Sequence, residues 1–429
     1  MGGNGSRKNR VCVIGLDGVP HGLLLDLAQK RIMPAMMRLI ASGHLHKMKA
    51  SLPEISSVSW TDFMTGSNPG THGIFGFTDL WDRSYDLRFP NFLSLKKETF
   101  WDFLGQKGKR CIIINQPSTY PARKINGALV SGFVAIDPNK AIFPLSHKAA
   151  LDRMGYQIDI DTSKARLDHE FLWRELDKTL IGSQKAFQYF WEQEWDYFEF
   201  VLTGTDRLHH YLWSAYEDES HPYHKNFLDY YHRVDQLIDE IVTSFQKLTG
   251  EEERLYLLSD HGFTGIEQEV YLNTWLEQNG FLKFSSPSAE KLSEISSESK
   301  VFALDPNRIY LNLKGKFPKG TVDKADVKYL KQEIAMGVAE LGFSGKKVIR
   351  KVFDAEEIYS GPLVTKGPDL IALGENGFDM KGAIRKKEIF IRTDLQGMHT
   401  WDDAFFWARR DHGKDLSISN LANIIMESF

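Results

Sequence analysis

Leu255-Tyr256-Leu257-Leu258-Ser259-Asp260-His261-Gly262 joins a short apolar run to a carboxylate, an imidazole and a glycine. The run reads as a buried strand, and open α/β sheets hold ligands at the carboxyl ends of such strands. Neither Asp260 nor His261 belongs there without a partner, so the pattern calls for a metal or an ion pair. The arrangement recurs. Val11-Cys12-Val13-Ile14-Gly15-Leu16 runs into Asp17, and Phe198-Glu199-Phe200-Val201-Leu202-Thr203 leads to Asp206, with His210 four residues further on. Three apolar runs thus each deliver an Asp at their exit, which reads as a metal site assembled from strand ends.

Working outward, Val11 to Leu16 is followed by the Asp17-Gly18 turn and a helical pattern from His21 through Leu27. Further helical patterns cover Met36 to Ile40, Trp60 to Met64 and residues 100 to 106, and Arg110 to Asn115 reads as another strand. This alternation predicts an α/β fold with a mostly parallel central sheet and helices on both faces. Residues 9-135, 185-275 and 346-429 are expected to form the catalytic core. Residues 136-184 read as an inserted helical cap and 276-345 as a second, α+β insertion. Within the latter, the polar stretch 285-299 reads as a mobile loop, Ile309 to Leu313 as a strand and Val322 to Leu341 as a turn and amphipathic helix.

Composition excludes several classes. Hydrophobic residues make up 42% of the 429 positions, enough for a sizeable core, and 53 basic against 57 acidic residues give a net charge of −4. That balance argues against a nucleic-acid polymer or an anionic membrane as partner. No stretch approaches the ~20 apolar residues of a membrane span. The first ten residues are polar and basic, without the apolar segment of a signal peptide. Cys12 and Cys111 both lie in apolar runs and read as buried thiols, so the expected location is cytoplasmic.

The i, i+4 spacing of Asp206 and His210 lets both face one metal if a helix begins just after Asp206. His209 points about 100° away on such a helix and reads as structural. Asp411-His412-Gly413 repeats the Asp-His-Gly triplet, but Arg409 and Arg410 separate it from its apolar run, so it reads as a turn with the arginines available to Asp411. In Pro53-Glu54-Ile55-Ser56-Ser57-Val58-Ser59-Trp60-Thr61-Asp62-Phe63-Met64-Thr65-Gly66, any of Ser56, Ser57 or Ser59 could cap a helix. A hydroxyl in that position could equally be activated by a metal as a nucleophile.

Taken in order, these segments resemble the alkaline phosphatase superfamily, and within it the type I phosphodiesterase/nucleotide pyrophosphatase family with its phosphohydrolase/phosphomutase branch. Ser56 stands ten residues before the Gly of Thr65-Gly66, and Asn68-Pro69-Gly70-Thr71-His72-Gly73-Ile74 follows. Asp17 fits the first Asp motif, Asp206-Arg207-Leu208-His209-His210 the Asp-x-x-x-His pair, Ser259-Asp260-His261-Gly262 the Ser-Asp-His-Gly motif and Gly397-Met398-His399 the late Gly-x-His. The resemblance spans nearly the whole chain and implies an alkaline-phosphatase-like core. It implies Ser56 as nucleophile, one metal on Asp206, His210 and His399, and a second on Asp17, Asp260 and His261 with the Ser56 oxygen.

Two divalent cations follow, zinc first and manganese as the alternative, since mixed Asp and His ligation suits them better than calcium or magnesium. The implied activity is a metal-dependent phosphodiesterase or phosphohydrolase acting on a small-molecule phosphate ester. A phosphomonoesterase or phosphomutase is the alternative, and an inactive binding protein a more remote one. Ser59 stands where nucleotide-handling diesterases often carry Asn, and Ser419 to Asn423 departs from the family's C-terminal Asp-x-Ala-Pro-Thr. The Pro and Arg of the sulfatase motif are missing around Ser56. Arg207 reads equally as a partner of the metal ligands or of phosphate and as a helix-surface salt bridge, and His72 reads as a hydrogen bonder within its loop. Substrate identity and oligomeric state are left open by the sequence.

Overall fold

Strands that are apolar on both sides need cover on both sides, and the computed structural model, which describes residues 10–250 and 252–429, supplies it. Of the polar, basic opening, residues 1–9 lie outside the described residues. The central sheet comprises β1 (Val11–Leu16), β2 (His44–Met48), β3 (Cys111–Gln116), β4 (Gly127–Ser131), β5 (Ile142–Phe143), β6 (Tyr197–Leu202), β7 (Leu255–Leu258) and β8 (Ala404–Ala408). Its order is β2-β8-β7-β1-β6-β3-β4-β5. The strands from β7 through β4 are mutually parallel, while β8 and β5 pair antiparallel to their inner neighbours.

The core helices are α1 (His21–Gln29), α2 (Pro34–Ser42), α3 (Ser56–Thr65), α4 (Phe100–Gln106), α5 (His169–Trp191), α6 (Gly204–Leu212), α7 (His224–Thr249) and α8 (Leu421–Met426). Alternation along each strand divides them between two layers. Cys12, Ile14, Phe198 and Phe200 pack with α1, α2, α5 and α7. Val11, Val13, Tyr197 and Ile113 pack with α3, α4 and α8. Each fully buried Leu, Ile or Phe in these layers contributes about 2 kcal/mol. Close packing also explains a glycine inside β1. A Cβ on Gly15 would stand 2.6 Å from the Trp60 ring, so α3 can lie this near the sheet only over a bare backbone.

Residues 136–184, expected as a helical cap, contribute the edge strand β5 and most of α5, which runs on to Trp191 and buries Leu172, Leu176, Phe187 and Phe190 against the sheet. A second sheet joins Val301–Leu304, Arg308–Leu311, Leu370–Gly374 and Ile349–Asp354 in that order, all antiparallel. Helix Val327–Ala339 packs on it, giving a separate apolar core. Position 345, expected to close the second insertion, falls between strands of this one sheet. Residues 285–299 send Leu292 and Ile295 into the same core, so apolar anchoring overrides the polar composition that suggested a mobile loop.

One buried group in the sheet makes stability depend on pH. Glu199, in the middle of β6, is fully buried, accepts a hydrogen bond from Tyr197 Oη at 2.6 Å and faces the amide of Gln116. Burial pushes its carboxyl up to about 8, with the Tyr197 bond opposing the shift. The folded protein therefore keeps this proton between the ordinary value of 4.5 and about 8, while the unfolded chain loses it. The stabilisation is complete below 4.5 and is lost as pH rises through that window, by an amount on the order of a few kcal/mol. Glu199→Gln should flatten the dependence, with a melting temperature above that of the parent at pH 8 and a gap that closes toward pH 5. Parallel melting curves that never converge would contradict this.

Candidate metal centre and nucleophile

The strand order does the first part of the assembly. β7, β1 and β6 are neighbours, so their exits set Asp260, Asp17 and Asp206 side by side. All three are buried. The exit of β1 is fixed by three hydrogen bonds. Asp17 N donates to Leu202 O at 2.9 Å, Thr205 Oγ1 donates to Asp17 O at 2.6 Å, and Gly18 N donates to Asp260 Oδ1 at 3.0 Å. Gly18 has φ 67°, and a Cβ there would come within 3.2 Å of Asp206 Oδ1 and His261 Cε1. The turn and the crowding together require glycine.

Asp206 lies in the first turn of α6 and His210 in its last, on one face. His399 arrives from far along the chain. Gly262–Gly265 pairs antiparallel with Gly397–Thr400, which sets His399 opposite Phe263. The ligand atoms form two groups, Asp206-His210-His399 and Asp17-Asp260-His261, each within 4.8 Å internally.

Tautomers follow from the carbonyls. His399 Nδ1 bonds Glu54 O at 2.9 Å, His210 Nδ1 bonds Gly397 O at 3.2 Å and His261 Nδ1 bonds Gly262 O at 3.0 Å. A carbonyl only accepts, so each Nδ1 carries hydrogen and each Nε2 faces inward, offering a lone pair when the ring is neutral. His399 and His210 then present Nε2 to one another at 3.1 Å, with Asp206 Oδ1 at 3.3 and 3.5 Å. In the other group, His261 Nε2 lies 3.3 Å from Asp260 Oδ2 and 3.8 Å from Asp17 Oδ1. Asp206 Oδ1 and Asp260 Oδ2 are buried without a hydrogen bond. Lone pairs converging on orphaned carboxylate oxygens suit a cation between them, and this donor set fits zinc or manganese.

Residues 11–402 match the family model of type I phosphodiesterase/nucleotide pyrophosphatase. The chain belongs to the type I phosphodiesterase/nucleotide pyrophosphatase family. Membership indicates a phosphoester hydrolase, and superfamily members are metal-dependent. The fold is alkaline-phosphatase-like. Phosphonoacetate hydrolase from Sinorhizobium meliloti 1021, in complex with phosphonoacetate, superposes with a TM-score of 0.65 at 14% identity, over 98% of this chain and 96% of that one. An inactive threonine-to-alanine variant of murine ectonucleotide pyrophosphatase/phosphodiesterase 5, in complex with AMP, superposes with a TM-score of 0.54 at 11% identity, over 98% and 94%. No curated protein sequence matches the chain.

In this phosphodiesterase-family chain, α3 begins at Ser56 itself, earlier than the Trp60 start expected. Its N-cap is Ile55, and no side chain caps it, which removes the reading of these serines as caps. Ser56 Oγ lies 3.0 Å from His261 Nε2 and 3.3 Å from Asp17 Oδ1. Ser59 Oγ instead accepts from Ser51 N at 3.3 Å, and Ser57 Oγ is buried without a partner. Of the three serines left open by the sequence, only Ser56 reaches the ligand cluster.

The electrostatics follow from burying like charges together. Burial raises Asp17 well above the carboxylate range, with the charges of Asp260 and Asp206 adding to it. Asp260 is pushed up to about 7 by burial and by Asp206, against the bond from Gly18. Asp206 goes the other way: burial would raise it, but His210, His399 and Arg207 hold it well below the usual range. Burial takes His210 down to about 4, and burial with the His399 charge takes His261 well below its ordinary value. Both rings are neutral near pH 7, as metal ligands must be.

Arg207 is held by Asp159 at 2.7 and 3.0 Å and donates to Asp206 Oδ2 at 2.8 Å, so it orients the Asp206 carboxylate. His209 bonds Gly18 O at 2.9 Å and Tyr231 Oη at 2.7 Å, away from the cluster. His72 donates to Asp62 at 2.6 Å while its Nδ1 accepts from Ile74 N, the loop role expected of it. Asp411 forms an exposed turn with Gly413 N, and the side chain it meets is His46, at 3.5 Å, not the neighbouring arginines.

Trp60 was missed by the sequence reading. It lies one helical turn after Ser56, and its Nε1 donates to Asp17 Oδ2 at 3.0 Å. The i, i+4 spacing is legible in retrospect, but an indole in an apolar pattern reads first as core. Glu54 and Asp159 left no signal, since one acts through a backbone carbonyl and the other across 48 positions. Trp60→Phe keeps most of the ring volume and removes the donor. Affinity at the Asp17-Asp260-His261 group should fall about 10- to 100-fold while the other group is much less affected. Zinc titration calorimetry reads the two separately, and equal weakening of both would refute the assignment.

Proposed function

We propose that this chain is a metal-dependent phosphodiesterase with Ser56 as nucleophile and two divalent cations, zinc first and manganese as the alternative. The observation that carries the reading is the Ser56 hydroxyl at the uncapped start of α3, 3.0 Å from His261 Nε2 and 3.3 Å from Asp17 Oδ1. Asp17, Asp260 and His261 would hold one cation, with the Ser56 oxygen as a further donor, and Asp206, His210 and His399 the other. Bound there, divalent cations neutralise phosphate charge and lower the pKa of a coordinated hydroxyl or water.

Ser56 Oγ loses its proton among these acceptors and attacks phosphorus, forming a phosphoseryl ester as the first ester oxygen departs. Water then cleaves the phosphoseryl bond and regenerates the hydroxyl. The partial positive charge at the start of α3 lies where negative charge gathers in both steps. Arg207, already committed to Asp159 and Asp206, keeps Asp206 in place. Trp60 and Gly18 do the same for Asp17 and Asp260.

A phosphomonoesterase or phosphomutase is the alternative on the same centre. A mutase must shield its phosphoryl group from water, and the sheet-packed course of α5 supports the diesterase over that version. Two free, buried thiols, Cys12 and Cys111, suit a reducing compartment, and we place the protein in the cytoplasm. No helix among the described residues is long and apolar enough to cross a membrane.

The reading is tested with protein reconstituted with zinc or manganese. Bis-p-nitrophenyl phosphate should turn over faster than p-nitrophenyl phosphate, and a chelator should abolish both activities until metal is restored. Ser56→Ala should lower diester turnover by about a thousandfold or more while metal stoichiometry stays at two. Turnover by Ser56→Ala near the parent rate would exclude the serine mechanism, and monoester preference would favour the phosphatase.

A further inference from the structure

A cavity of about 840 Å³ opens beside the metal centre, where His210 and Arg207 form part of its wall. This is the size of a small-molecule site. The rest of the wall is largely apolar, including Phe77, Phe133, Val134, Tyr156, Ile158 and Leu395. The apolar character continues outward: Val134 is 60% exposed, and Ile136 and Leu167, next in sequence to the lining residues Ala135 and Arg166, are 82% and 85% exposed.

Three cations also line the cavity, and each is already paired. Lys148 Nζ bonds Asp152 at 2.6 Å, Arg166 bonds both carboxylate oxygens of Asp394, and Arg207 is shared by Asp159 and Asp206. A second phosphate or a carboxylate entering here would find no unpaired positive charge and would meet Asp152 and Asp159. An apolar group would displace water from apolar walls.

From this we infer that the cavity receives an uncharged, apolar ester group of the substrate, which makes phosphodiesters with an alkyl arm the preferred class. The inference rests on the phosphodiesterase reading above. The phosphate goes to the metal centre, and selectivity comes from the walls built by residues 133–166, with Val134 as a specificity-determining residue at the rim.

The test uses zinc-loaded protein and p-nitrophenyl alkyl phosphates from methyl to octyl. Two further esters carry a butyl chain ending in a carboxylate and a thymidine. kcat/KM should rise about threefold to fourfold per methylene until the cavity is filled. The carboxylate and thymidine esters should fall below the octyl ester. Val134→Asp should collapse the octyl-to-methyl ratio, and Val134→Leu should keep it. Binding of methyl- and octylphosphonate to zinc-loaded Ser56→Ala, measured by calorimetry, reads the same preference without turnover. Diester hydrolysis with no chain-length slope overturns the inference and leaves the function standing. A slope in phosphonate binding without hydrolysis of any ester sinks the function and keeps the cavity assignment. Preference for the thymidine or carboxylate ester, or absence of both slope and hydrolysis, rejects the inference.

Discussion

Three carboxylates buried at the exits of adjacent parallel strands are the constraint around which the molecule is organised. Two unit charges 4 Å apart repel by about 4 kcal/mol at an effective dielectric of 20, and Asp17, Asp206 and Asp260 share one desolvated pocket. Arg207 offsets part of this at Asp206, and the bonds from Trp60 and Gly18 offset part at Asp17 and Asp260. None supplies a positive charge between the carboxylates themselves. The inward Nε2 atoms of His210 and His261, neutral near pH 7, add lone pairs and no hydrogens. Divalent cations bound between them would satisfy these atoms together.

Holding such a cluster takes rigid support, and it comes from two units. The central sheet fixes the strand exits by continuous parallel pairing, with α3 seated against β1 over Gly15. The second unit supports the approach to α3. Asn307 Nδ2 donates to both Glu54 carboxylate oxygens, at 3.1 and 3.0 Å, while the Glu54 carbonyl orients His399. Tyr359 Oη reaches Leu52 O at 2.7 Å, and Leu52 and Phe75 pack with Phe353 and Ile371 on the far side of the second sheet. A segment carrying both the proposed nucleophile and a histidine anchor is thereby clamped from both units.

The fold is shared with a phosphonoacetate hydrolase and a nucleotide pyrophosphatase at 14% and 11% identity. Likeness at that distance conveys architecture and leaves substrate choice to the walls around the centre. Here those walls come mainly from residues 133–166, joined by Phe77, Arg207, His210, Tyr211 and Leu395, and they set apolar side chains beside paired cations.

Much of the candidate site was legible because its carboxylates and histidines stand at positions that local rules mark. An Asp after an apolar run, a His four residues later on a helix, and an Asp-His-Gly triplet are short-range patterns, and Asp17, Asp206, His210, Asp260 and His261 all carry them. The alternation of strands and helices likewise announced a parallel sheet with two covered faces. His399 lacked such a local mark and came only through resemblance. Its place depends on a two-stranded ribbon closing over more than a hundred residues. Tertiary structure alone set the Ser56 hydroxyl beside His261 and Asp17, packed α5 of the expected cap segment against the sheet, joined strands across position 345 and brought Trp60, Glu54 and Asp159 to the carboxylate and histidine cluster. The reason is physical. Periodicity and turn chemistry are set by neighbours in sequence, whereas side-chain direction, hydrogen-bond partners and cavity walls are set by neighbours in space.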